Sequence, residues 1–266
     1  MLIKPITEVR NPRHIIDDEE DETIEQPNPI PQITISLDSK LKEYTNILIV
    51  PNTLSLLQDQ LPNQKQIGII NIDYKDLKLI NTENIEEYDE DEQLYVSIQN
   101  ESILKKYPNL KIPIYEIEDT ITFNIPHFTN VITYNLLSKE IISQFKVKVE
   151  NWVLLSHSTL NNNQSINQLS STNNLVKDIP ILKPPHSITG INASIITHLP
   201  PSTKYNLLVL NSEGQFGFEK SDNESVINSS YVLVNLLHIK NQKEYLKNVS
   251  LKIRKFNGYS NLGMYI

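Results

Sequence analysis

Apolar side chains follow one rhythm up to about residue 126 and another beyond it. In the first stretch they form short runs and alternations. Residues 44–50, Tyr-Thr-Asn-Ile-Leu-Ile-Val, make a short, largely apolar run closed by Pro51, which predicts a strand buried on both faces. Residues 67–72 predict a second strand. Residues 94–98 and 112–117 alternate apolar with polar, the period of a half-buried strand, and 120–125 does the same up to Pro126. The spacing then lengthens. Val131, Tyr134, Leu137, Ile141, Ile142 and Phe145 share one helical face. A buried strand is expected at 152–155. A helix is expected over 187–199, carrying Ile188, Ile191, Ile195 and Leu199, with Ser187 as its N-cap and Pro200-Pro201 as its stop. A strand at 205–210 and a helix at 225–238 follow. Residues 240–256 fit either period, because Leu246, Val249, Ile253 and Phe256 suit a helix while Val249, Leu251 and Ile253 alternate; Gly258 is expected to end the segment.

The second half thus runs helix, strand, helix, strand, helix, the order of crossover connections that pack helices on a central sheet. The expected fold is one α/β domain in three layers, a mostly β core flanked by helices. Pro5, Pro12, Pro27, Pro29 and Pro31 make residues 1–40 an extended arm. The domain proper spans 41–257, with a disordered Asn/Gln/Ser/Thr-rich insertion near 161–177, and a flexible docking tail occupies 258–266.

Composition narrows the classes. There is no cysteine, which fits a reducing compartment and excludes thiol chemistry. The start, Met1-Leu2-Ile3-Lys4-Pro5, has no signal-peptide pattern, and no run approaches the length of a membrane span. The net charge is −8, and two acidic runs, 17–22 and 86–92, hold 12 of the 32 acidic residues. The remainder is near neutral, so nucleic acid is not an expected partner and the runs are expected to be solvated loops. The basic cluster Lys240, Lys243, Lys247, Lys252, Arg254 and Lys255 is expected to be a solvated face.

Catalytic patterns are missing. Six glycines form neither a phosphate loop nor a nucleophile elbow, and the six histidines show no metal spacing, so no catalytic residue, cofactor or metal is expected. Two spots merit attention. His157 sits between Ser156 and Ser158 after a strand, but neighbours on a strand face opposite sides, and an exposed loop is the expectation. In Ser212-Glu213-Gly214-Gln215-Phe216-Gly217-Phe218-Glu219-Lys220, the glycines are expected to make a tight turn that returns both phenylalanines to the core, an anion-binding nest being the other reading.

The chain ends Gly263-Met264-Tyr265-Ile266. An apolar residue, a tyrosine and a residue bearing the carboxylate form a docking pattern. Met264 and the Tyr265 ring bury in a cleft, the hydroxyl takes a hydrogen bond, and the Ile266 carboxylate pairs with a lysine or with backbone N–H groups.

At these residues the chain resembles the fungal proteasome assembly chaperone 1 family. The matching blocks are Met1-Leu2 with Pro12-Arg13-His14, Leu182-Lys183-Pro184-Pro185 with Ile188-Thr189-Gly190, Leu207-Leu208-Val209-Leu210 with Ser212-Glu213-Gly214 and Gly217-Phe218-Glu219-Lys220, and Gly263-Met264-Tyr265-Ile266. The resemblance implies a chaperone, not an enzyme, that forms a heterodimer with a second, related chaperone on the outer face of the proteasome core particle's α ring. It implies that Met264, Tyr265 and Ile266, the hydrophobic-Tyr-X (HbYX) motif, enter a pocket between α subunits. It also implies promotion of ring assembly, blocking of premature regulatory-particle binding, and residence in the cytoplasm with the nucleus as a second location. The other readings are a hydrolase- or phosphorylase-like α/β enzyme, which needs His157 and Ser212 in one deep cleft, and a different proteasome-docking factor such as an activator.

Overall fold

The structure is a computed structural model that describes residues 29–38, 42–75, 77, 79, 90–160, 163–171 and 176–262. Strand β2 (Tyr44–Pro51) is its centre, and Ile47, Leu48, Ile49 and Val50 are wholly buried. It pairs in parallel with β5 (Thr120–Ile125) on one side and β6 (Val149–Ser158) on the other. β6 pairs in parallel with β8 (Lys204–Glu213). Antiparallel strands extend both flanks. Beyond β5 lie β4 (Leu110–Ile117), β3 (Lys65–Asp73) and β1 (Gln32–Leu37). Beyond β8 lies β7 (Ile166–Ser170), and the short β9 (Lys220–Ser221) also pairs with β8. Among the described residues the sheet has nine strands.

Side-chain alternation along the parallel strands sorts the core into two halves. Ile47, Ile49, Phe123, Trp152, Leu154, Leu207 and Val209 pack with helices α3 (Val131–Phe145) and α4 (Gly190–His198). Leu48, Val50, Val153, Leu155, Leu208 and Leu210 pack with α1 (Ser55–Asp59), α5 (Asn223–Leu236) and α6 (Gln242–Leu262). The result is the three-layer α/β domain expected. Tyr245 of α6 is fully buried and donates its hydroxyl to the Leu57 carbonyl at 3.1 Å, tying α6 to α1.

Several elements differ from the sequence expectation. Residues 94–98 are not a strand; they lie within helix α2 (Glu90–Lys106). The alternation there was too short to decide. Val96 is buried and Ile103, seven residues on, is half-buried, while Leu94, Tyr95 and Ile98 are exposed. Glu90, Asp91 and Glu92, expected in a solvated loop, belong to this helix. Part of the expected arm is strand β1, which sets Ile33, Ile35 and Leu37 against the core. Residues 1–28 lie outside the described residues. The expected disordered insertion contains β7, and Gln168, 2% exposed, anchors it. Its Nε2 donates to the Val176 and Ile179 carbonyls at 2.7 and 2.6 Å, and its Oε1 accepts Val176 N–H at 2.8 Å. Polar composition hid a strand that one buried amide stitches down.

The ambiguous segment is helical. Tyr245, Val249 and Ile253 are buried at intervals of four, and α6 runs through Gly258 to Leu262. Gly258 therefore does not end it, and residues 258–262 of the expected tail have helical backbone. Helix α4 begins at Gly190 with Thr189 as N-cap, not Ser187. Asp222 caps α5, its Oδ1 accepting Ser225 N–H at 2.6 Å.

Candidate functional site

After β2 the chain turns toward the α1 face, whereas after β5 it crosses on the α3 face. Diverging exits leave a crevice at the carboxyl ends of parallel strands, the place where open α/β sheets hold ligands. A cleft opens there. Pro51, Asn52 and Thr53 follow β2 into it, and Pro126 and His127 follow β5. Ser156 and His157 come from the end of β6, and Thr189 to Asn192 bring the start of α4. Phe216, Gly217 and Glu219 come from the loop between β8 and β9.

His157 is not in an exposed loop. It lies within β6 and is 8% exposed. Its Nε2 is 2.5 Å from Thr53 Oγ1 and its Nδ1 is 2.9 Å from Ser221 Oγ, so one ring links the turn after β2 to β9. Burial pushes its pKa down to about 4. A neutral ring donates at one nitrogen and accepts at the other, which matches two hydroxyl partners. An imidazole so weakly basic is a poor general base at neutral pH. Ser212 is buried in the β8–β9 ladder and does not line the cleft, so the pairing required by the hydrolase reading is not made.

The depressed His157 pKa has a pH consequence. Below the ordinary value of 6.5 the unfolded chain binds a proton that the folded chain excludes until about pH 4. Its contribution is present in full above pH 6.5 and declines by up to about 3 kcal/mol on acidification through that window. Urea unfolding across this range should show a shallower pH slope for His157→Gln than for the parent; equal slopes would contradict the burial argument.

Tyr134 of α3 accepts the Phe128 N–H at 2.9 Å and lies 3.1 Å from His127 Nδ1. Directing the Tyr134 proton to that nitrogen leaves His127 an Nε2–H donor. Burial raises the Tyr134 pKa, so this hydroxyl keeps its proton. The turn at 214–217 forms as expected, with φ of +114° at Gly214 and +87° at Gly217. It does not return both phenylalanines to the core. Phe216 is 46% exposed and meets the His127 ring edge-on at 5.0 Å, while Phe218 is 77% exposed. A Cβ at Gly217 would overlap the His127 imidazole at Cγ. Gly217→Ala should therefore lower stability by about 1–2 kcal/mol, read as a lower Tm together with altered His127 imidazole NMR signals.

Among the described residues no three His, Cys, Asp or Glu side chains gather as metal ligands, and no helix is long and apolar enough to cross a membrane. The expected docking residues Met264, Tyr265 and Ile266 lie outside the described residues. The cleft escaped the sequence reading because its parts come from six segments, Tyr134 of α3 among them. The polar residues at or just past the strand ends, Asn52-Thr53, His127 and Ser156-His157, were the available signal.

No curated protein matches the sequence. Among solved structures, Pyrococcus furiosus PbaA, an archaeal homolog of proteasome-assembly chaperone, superposes with a TM-score of 0.54 at 16% identity, over 84% of this chain and 94% of that one. A Thermoplasma acidophilum protein of unknown function gives 0.50 at 12% identity, over 86% and 92%. At such identities the likeness concerns the fold. The family profile of the POC1 chaperone matches residues 1–266, the whole of the sequence, and the chain therefore belongs to the POC1 chaperone family.

Proposed function

We propose that this protein is a proteasome assembly chaperone of the fungal type, working as a heterodimer with a second, related chaperone. Its Met264-Tyr265-Ile266 segment docks between α subunits on the outer face of the core-particle α ring. There it promotes ring assembly and keeps regulatory particles from binding too early, in the cytoplasm and also in the nucleus. The observation that carries this reading is the family match across all 266 residues, which includes the terminal segment. The fold shared with the archaeal homolog supports it. So does helix α6, whose backbone reaches Leu262 and whose buried Tyr245, Val249 and Ile253 fix it to the domain. A chaperone family, rather than an enzyme family, accords with a cleft whose one buried histidine is a poor base.

Co-expression with the related chaperone tests the pairing. A one-to-one heterodimer should form and should persist when Met264 to Ile266 are removed, because the pairing is assigned to the folded body. A chain that stays monomeric beside every related chaperone would overturn that part of the reading.

A further inference from the structure

We propose that the cleft at the ends of β2, β5 and β6 is a binding site for a small, flat ligand with an amide edge, a heterocyclic lactam or an aromatic carboxamide. Two observations specify the edge. Helix α4, nine residues long, starts in the cleft wall, and its N-cap Thr189 makes no side-chain hydrogen bond to it. The first turn of this helix, Gly190 to Asn192, lines the cleft, and its N–H donors receive no cap from the Thr189 side chain. The third residue of that turn, Asn192, is 2% exposed and also lines the cleft. Its Nδ2 donates to the Leu155 carbonyl; turning the amide over would set two oxygens together. Its Oδ1 has no partner among the described residues. Unmet donors and an unmet buried acceptor stand side by side, and a –CO–NH– edge satisfies both, its carbonyl on the helix start and its N–H on Asn192 Oδ1.

A free anion fits worse. Neither lysine nor arginine lines the cleft, and the Glu219 carboxylate does. The flatness follows from Phe216. Its ring Cζ lies 3.1 Å from the point where a Cβ on Gly190 would stand, so the ring covers the start of α4, yet it remains 46% exposed. An aromatic face over an amide-binding edge is a wall on which a flat ring can stack. The enclosed part of the cleft is small, about 50 Å³, so only the ligand's amide edge enters it and the ring rests against Phe216 at the open side.

The test uses the full chain and four probes at millimolar concentration, read by saturation-transfer NMR and thermal shift. Nicotinamide and uracil carry a flat amide edge, benzoate is flat and anionic without an N–H, and N-acetylglycinamide has amides but no ring. Nicotinamide or uracil should bind, more tightly than the other two. Phe216→Ala, on an exposed loop, should weaken binding about two- to tenfold, and Asn192→Leu should abolish it. Equal or better binding of benzoate would make the cleft an anion site at a helix end and overturn the proposal. Binding of N-acetylglycinamide alone would assign the cleft to a partner's peptide chain and overturn it too. Binding by none of the four would leave ordered water as the partner of Asn192 and would equally overturn the proposal.

Discussion

Replacing Trp152 by alanine should remove about 3–5 kcal/mol of unfolding free energy. Trp152 is wholly buried in β6, with Ile47 of β2 and Tyr205 of β8 as its register neighbours. It stands where the parallel centre of the sheet meets the α3–α4 layer. Close packing on every side leaves little room for collapse, so truncation opens a cavity in addition to losing transfer free energy. Against a typical domain stability of about 5–15 kcal/mol, that is a large fraction. Trp152→Phe should cost only about 1–2 kcal/mol, because it keeps most of the ring and also removes an indole N–H that has no partner among the described residues. Urea unfolding followed by far-ultraviolet circular dichroism separates the two variants. Losses that are equal, and both small, would contradict the placement of β6 at the centre of the core.

The interior of the sheet was legible because burial on both faces demands continuous apolar runs. Residues 44–50, 152–155 and 205–210 could satisfy little else, and they are β2, β6 and β8. Helix α3 was equally legible, its buried Tyr134, Leu137, Ile141 and Phe145 keeping helical spacing. Legibility fell where one face meets water. In α2 the exposed Leu94, Tyr95 and Ile98 surround the buried Val96 and imitate a strand. Strand β7 is marked by Gln168, whose partners at Val176 and Ile179 are contacts between segments that no local pattern can encode. The cleft is the same kind of case. His157 has neighbours in sequence, Ser156 and Ser158, that suggested chemistry, but its partners are Thr53, 104 residues away, and Ser221, 64 residues away. The terminal pattern Met264-Tyr265-Ile266 rests on the sequence alone, since these residues lie outside the described ones.

Loss of Met264-Tyr265-Ile266 should weaken binding to proteasome α subunits by roughly 3–6 kcal/mol, two to four powers of ten. Burying the methionine contributes about 1.5–3 kcal/mol, and a charge-assisted hydrogen bond at the carboxylate a further 1.5–3 kcal/mol or so. Association itself costs at least about 4 kcal/mol, so the segment alone binds weakly. The proposed function therefore calls for a second contact with the same ring, from the folded body or the partner chaperone. Fold and heterodimer pairing should survive the truncation. The most direct measurement is a native pull-down from cell extract with the full chain and with a chain lacking Met264 to Ile266. The account predicts that the full chain recovers α subunits together with a second chaperone, while the truncated chain keeps the chaperone and loses most of the α subunits. Equal recovery of α subunits by both chains, or recovery by neither, would contradict it.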